Sequence, residues 1–97
     1  MRRAARIDDN QAEIINALRQ MGCTVQSLAA CGYGVPDVLA AFRGRNVLLE
    51  IKDPKKPKAD RMLTPAQVKW HQNWRGQVTT IYTIDEAIAV VIGGDRE

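Results

Sequence analysis

The chain has 97 residues, 45% of them hydrophobic and 26% charged, with a net charge of +3 and a pI near 9.1. That suits one small globular domain over residues 1–97, near the lower limit at which a core supports itself, and leaves no room for a second domain. No apolar run approaches the ~20 residues of a membrane span, and the MRRAARIDDN start has arginines with no hydrophobic segment behind them. Neither a membrane protein nor a secretory signal is expected; the expected location is cytoplasmic, in a bacterial or phage-infected host cell.

The first expected element is a helix capped by Asp8 or Asp9 and running to about Met21. Ile14, Ile15, Leu18 and Met21 form its apolar stripe, and Gly22 is its stop signal. Cys23 and Cys31 follow. One possible bridge makes no disulfide scaffold, and His71 as the single histidine gives no zinc constellation, so both thiols are expected to stay reduced. CTVQSLAA has weak strand character. GYG and Pro36 then break the chain before two strands, DVLAAF and NVLLEIK, joined through RGR as a hairpin.

The segment KDPKKPKADR, residues 52–61, reads as a basic loop, since prolines break regular structure and five of its ten residues are Lys or Arg. LTPAQVKWHQNW opens a second helix with Thr64 as N-cap, Pro65 at N1 and Gln67 at N3, a capping box. Gln67, Trp70, His71 and Trp74 share one face of it, and the rings are expected to serve packing or a dimer contact rather than base stacking. GQVTTIYT reads as a strand and IDEAIAVVIGG as a closing helix, with Ile84, Ala87, Ile88 and Val91 assigned to core or interface. The order αβββαβα makes the class α/β with a mixed sheet.

Alternation along NVLLEIK puts Val47, Leu49 and Ile51 on one face and Leu48, Glu50 and Lys52 on the other. In an antiparallel hairpin about RGRN, Asp37 at the start of the first strand lies beside the Glu50 to Lys52 end of the second. Two carboxylates that close do not both stay ionised cheaply unless a divalent cation such as Mg²⁺ neutralises them. A nearby amine that holds water then suits metal-assisted phosphodiester hydrolysis. A cross-strand salt bridge on a solvated face is the plainer reading of the same residues.

VPD, twelve intervening residues and EIK resemble the PD-(D/E)XK nuclease superfamily. YGVPDVLAAFRGRNVLLEIK, the basic loop and LTPAQVKWHQ together resemble its VRR-NUC (virus-type replication-repair nuclease) domain, in the stand-alone phage or bacterial form. The resemblance implies a restriction-endonuclease-like αβββαβ core with a mixed central sheet flanked by helices. It also implies a Mg²⁺- or Mn²⁺-dependent DNA endonuclease acting as a homodimer, selective for branched DNA such as a four-way junction. Asp37 and Glu50 match the acidic metal ligands, the Ile51 backbone carbonyl the third ligand, and Lys52 the lysine that positions the attacking water. Glu13 matches an added acidic residue of the metal shell, and Gln67 a glutamine lining the site.

Lys55, Lys56, Lys58, Arg61 and Lys69 are candidate DNA contacts, with Arg43 and Arg45 weaker ones at the far end of the hairpin. Glu13 also suits a helix's first turn, and Gln67 its capping box, so each has a structural role that competes with the site. The rival function is a catalytically silent DNA-binding or assembly module of the same fold.

Overall fold

A computed structural model describes residues 9–93. Asp8, one of the two expected caps of the first helix, lies outside them. That helix, α1, spans Asp9–Gln20. Ile14 and Leu18, four residues apart and so on one stripe, are fully buried. Paired bonds from Gly22 N–H to Arg19 C=O and from Cys23 N–H to Leu18 C=O close its end as a Schellman motif, with Gly22, the expected stop signal, at C′ with φ 108°.

The strands β1 (Thr24–Ser27), β2 (Val38–Phe42), β3 (Arg45–Ile51) and β4 (Val78–Ile81) form one sheet in the order β1-β2-β3-β4. The first two pairings are antiparallel and β3 pairs β4 in parallel, so the sheet is mixed, as expected. Phe42 pairs Arg45, leaving Arg43 and Gly44 as a two-residue loop with φ of 52° and 82°; two positive φ values give the twist that suits a tight hairpin. The weak strand signal over CTVQSLAA resolves into a short edge strand.

A four-residue helix, α2 (Lys58–Arg61), interrupts the segment expected to be wholly loop. It starts after Pro57, whose fixed φ suits the entry to a helical turn. Next come α3 (Pro65–Asn73) and, after β4, α4 (Ile84–Ile92). The complete order, αβββααβα, thus differs from the expected one by this single turn.

Paired residues Val38 and Leu49, Ala40 and Val47, and Val25 and Ala40 share one face of the sheet, with Ile51 and Ile81. All are buried in one core with Ile14 and Leu18 of α1 and Ala87 and Val91 of α4. Of the four apolar residues assigned to the closing helix, Ala87 and Val91 are core, Ile88 packs against it, and Ile84 is exposed. The Arg45 guanidinium donates to Val91 C=O at 2.8 Å, satisfying the end of α4, so this arginine is committed to the fold. Arg43 lies over the Phe42 ring at 4.8 Å.

The opposite face carries Leu39, Leu48, Glu50 and Val78. Cys23 is buried and Cys31 exposed, both as free thiols, and burial pushes the Cys23 thiol up. Among the described residues, no helix is long and apolar enough to cross a membrane.

Candidate active site

The carboxyl end of β3 is where charge enters the interior. Glu50 is 2% exposed, Lys52 8% and Asp53 5%, the last two just beyond or at the end of the strand. Such groups are seldom this buried without partners.

Asp37 supplies the first constraint. Its backbone N–H donates to Leu49 C=O at 3.0 Å, and its Oδ2 accepts from the Ile51 N–H at 2.6 Å. Asp37 therefore grips β3 on either side of Glu50: the main chain holds residue 49 and the carboxylate holds residue 51. The strand-start aspartate and the strand-end glutamate become neighbours because Val38 pairs with Leu49 in the antiparallel register.

Gln67 supplies the second. It sits at N3 of α3, where its N–H donates to Thr64 Oγ1 and its Oε1 accepts from the Thr64 N–H at 2.8 Å. That is the capping box expected from the sequence. The same Oε1 accepts from Lys52 Nζ at 3.1 Å, while Nε2 donates to Glu50 Oε2 at 2.9 Å. Helix capping and site lining thus coexist in one side chain, using the two ends of its amide. Lys52 Nζ also lies 3.8 Å from Glu50 Oε2.

The GYG segment locks α3 in place. Gly32, Tyr33 and Gly34 all have positive φ, and the Val35 N–H closes a turn on Gly32 C=O. A Cβ on Gly34 would stand 2.3 Å from Ala66 C=O oxygen and 3.0 Å from the Gln67 nitrogen. Only a glycine lets this turn seat against the first turn of α3, and Asp37 follows three residues later. One short segment therefore sets the relative position of the aspartate and the glutamine.

Asp37, Glu50, Lys52 and Gln67 thus converge. Glu13 does not join them: it is exposed on α1 and lines a cleft of about 450 Å³ with Asn10, Asp53, Lys55, Lys56 and Asp85. The physical reason is that Ile14 and Leu18 claim the core-facing stripe, which turns Glu13 toward the edge of the fold. Among the described residues, no group of three or more His, Cys, Asp or Glu side chains is placed to hold a metal. The Asp37 and Glu50 carboxylates still offer hard oxygens of the kind that suits Mg²⁺, which keeps several waters and needs only one or two carboxylates from protein.

The basic residues divide. Lys55 and Lys56 line the cleft beside Glu13, Lys58 and Arg61 lie on α2, and Lys69 projects from α3 beside Trp70. Three further residues lie near the site. Asn10 Nδ2 ties α1 to the sheet through Lys52 C=O and Tyr82 C=O, each at 3.1 Å. Asp53 Oδ1 accepts from the Lys55 N–H at 2.9 Å, a turn that the sequence Asp53-Pro54-Lys55 does signal. His71 has an imidazole held below its ordinary value near 6.5, first by burial and then by the Lys52 ammonium.

The tryptophans lie outside the main core. No residue of α3 is buried, and Trp74, its C-cap, is 45% exposed. The two indoles stack on each other, centroids 4.6 Å apart, on the surface rather than in the core.

This architecture is a restriction-endonuclease-like α/β fold. A solved structure described as a VRR_NUC domain is similar to the chain at a TM-score of 0.62 and 19% identity, covering 88% of this chain and 97% of that one. The two share a fold. No family model and no curated protein matches the sequence.

Proposed function

We propose that the chain is a divalent-metal-dependent DNA endonuclease. The observation that carries this reading is the convergence of Asp37, Glu50, Lys52 and Gln67 at the carboxyl end of β3, within a fold shared with a VRR_NUC domain. A surface salt bridge needs none of this burial, and a packing module needs no carboxylate in its interior.

In this reading Asp37, Glu50 and the Ile51 carbonyl hold Mg²⁺ or Mn²⁺. The bound ion supplies charge neutralisation at the scissile phosphate and an activated water. Lys52 is the residue that orients that water, since its ammonium is tethered at a fixed place by Gln67 Oε1. Gln67 keeps Glu50 aimed and its oxygen Oε2 accounted for by a hydrogen bond. Asp37 anchors the Ile51 N–H, and the next peptide, which carries the Ile51 carbonyl, is held by its Lys52 N–H donating to Ile81 C=O at 3.0 Å. Lys55, Lys56, Lys58, Arg61 and Lys69 supply sequence-independent attraction for phosphates. Glu13, at the cleft with Lys55 and Lys56, takes no part in holding the ion in this reading.

One domain with one such site cuts one strand, so paired incision across a symmetric junction calls for a homodimer. The test is incubation with labelled four-way junction, duplex and flap DNA, with and without Mn²⁺, beside Glu50→Gln. Metal-dependent cleavage that the variant lacks, with the junction cut fastest, supports the reading. Binding without cleavage favours the silent DNA-binding module, and equal cutting of all three substrates removes the junction preference.

A further inference from the structure

The site does not account for the aromatic surface beside it. Tyr33, Ala66, Lys69, Trp70, Asn73 and Trp74 line a groove of about 320 Å³. Tyr33 is 92% exposed and holds a left-handed backbone conformation, φ 57°, which a bulky residue adopts only at a cost. Trp70 and Trp74 are stacked, with ring planes 18° apart, and a Cβ on Gly76 would stand 2.8 Å from Trp74 Nε1, so the backbone of Gly76 braces the indole. An exposed phenol on a left-handed backbone beside two stacked indoles needs a reason beyond packing.

Charge narrows the occupant. No acidic residue lies between Asp60 and Asp85, a stretch that contains Arg61, Lys69, Arg75 and both tryptophans. Lys69 and Asn73 give the groove a cation and an amide at its edges. An acidic partner with flat apolar faces fits that combination, and a nucleobase on its phosphate chain has both properties. The groove also adjoins the candidate active site. Ala66 and Gln67 are consecutive on α3, and the turn that presents Tyr33 is the one seated on Ala66 and Gln67.

We propose that the Tyr33, Trp70 and Trp74 groove binds unpaired bases of single-stranded DNA next to the cleavage site. Bases lodge against the indoles and the phenol, and Lys69 takes a flanking phosphate. The proposal rests on the nuclease reading for its biological sense, while the binding itself needs no chemistry. A strand leaving a duplex at a branch is the DNA element that would offer such bases.

The test uses fluorescein-labelled oligothymidylate and a duplex of the same length, with EDTA present so that nothing is cut. The proposal expects oligothymidylate to quench tryptophan emission. Trp74→Ala and Tyr33→Gly should each weaken its binding about tenfold, with duplex affinity unchanged. Tyr33→Gly suits the left-handed backbone, so the fold is retained and loss of binding reports the ring. Absent quenching, or equal losses for single-stranded and duplex DNA, overturns the proposal. So does a change in sedimentation mass of Trp74→Ala with unaltered oligothymidylate affinity, which marks the groove as a contact between copies of the chain. Ring-dependent binding without any Mn²⁺-dependent cleavage refutes the nuclease reading alone. Cleavage with ring-independent binding refutes the groove alone.

Discussion

Gln67 Nε2 donates to Glu50 Oε2 at 2.9 Å while the oxygen of the same amide accepts from the Thr64 N–H and from Lys52 Nζ. The first turn of α3 and the charged end of β3 are therefore one hydrogen-bonded unit. Stability of the helix start and positioning of Glu50 and Lys52 depend on the same side chain, which makes the unit testable by separating the two ends of the amide.

Gln67→Ala removes both ends. Loss of the box should cost about 1 kcal/mol, lowering Tm by roughly 4–8 °C in a domain of this size, together with cleavage. Gln67→Glu keeps an acceptor for Thr64 and Lys52 but sets a second carboxylate against Glu50. Thermal unfolding should place Gln67→Glu nearer the parent than Gln67→Ala, while single-turnover assays show both impaired.

Gly34→Ala meets two penalties, a Cβ 2.3 Å from Ala66 oxygen and a φ of +82°. The left-handed backbone alone costs ~1–2 kcal/mol, and the contact is with backbone, which has no rotamer to yield. Urea unfolding should show a loss above that figure, whereas Gly44→Ala, with positive φ but open space around it, should lose only the conformational part.

His71 should titrate below the ordinary imidazole value near 6.5, because burial and then Lys52 disfavour its charged form. The unfolded chain binds this proton first as pH falls, so the contribution to stability is full above about pH 6.5 and is lost toward the lower folded value. NMR titration in Lys52→Met should find the midpoint shifted upward but still below the ordinary value, since burial persists. A midpoint that ignores Lys52 would contradict the placement.

Arg45 and Lys55 should separate fold from binding. Arg45→Met removes the guanidinium from Val91 C=O, costing up to ~2 kcal/mol, with DNA affinity retained. Lys55→Ala should leave stability within ~0.5 kcal/mol and flatten the salt dependence of DNA binding by about one unit of slope. Paired denaturation and salt-titration curves read both.

Much of this was legible in the residues. Alternation along β3 and a hairpin about RGRN place Asp37 against Glu50, because register converts sequence into contact without reference to the rest of the fold. The capping box at Thr64 and Gln67 was equally local. The part that the residues leave unread is tertiary. The stripe of Gln67, Trp70, His71 and Trp74 shows which side chains share a face, but periodicity does not say what covers that face: Trp70 and His71 are half-buried and Trp74 is exposed. Glu13 shares a turn with buried Ile14, yet which way it projects depends on how α1 rolls onto the sheet. Tyr33 in a left-handed conformation is invisible to propensity, since glycines on either side suggest a turn and not which residues carry the strain.

The proposed function places Asp37, Glu50 and Lys52 in one metal-dependent hydrolytic site. It is tested most directly by single-turnover cleavage of labelled branched DNA in Mn²⁺ by the parent chain, Glu50→Gln and Lys52→Met, with circular dichroism to verify the fold. The expected result is a rate at least about 10²-fold lower in each variant and no cleavage by the parent in EDTA. Cleavage that survives in folded Glu50→Gln and Lys52→Met, or that proceeds without a divalent ion, would contradict it.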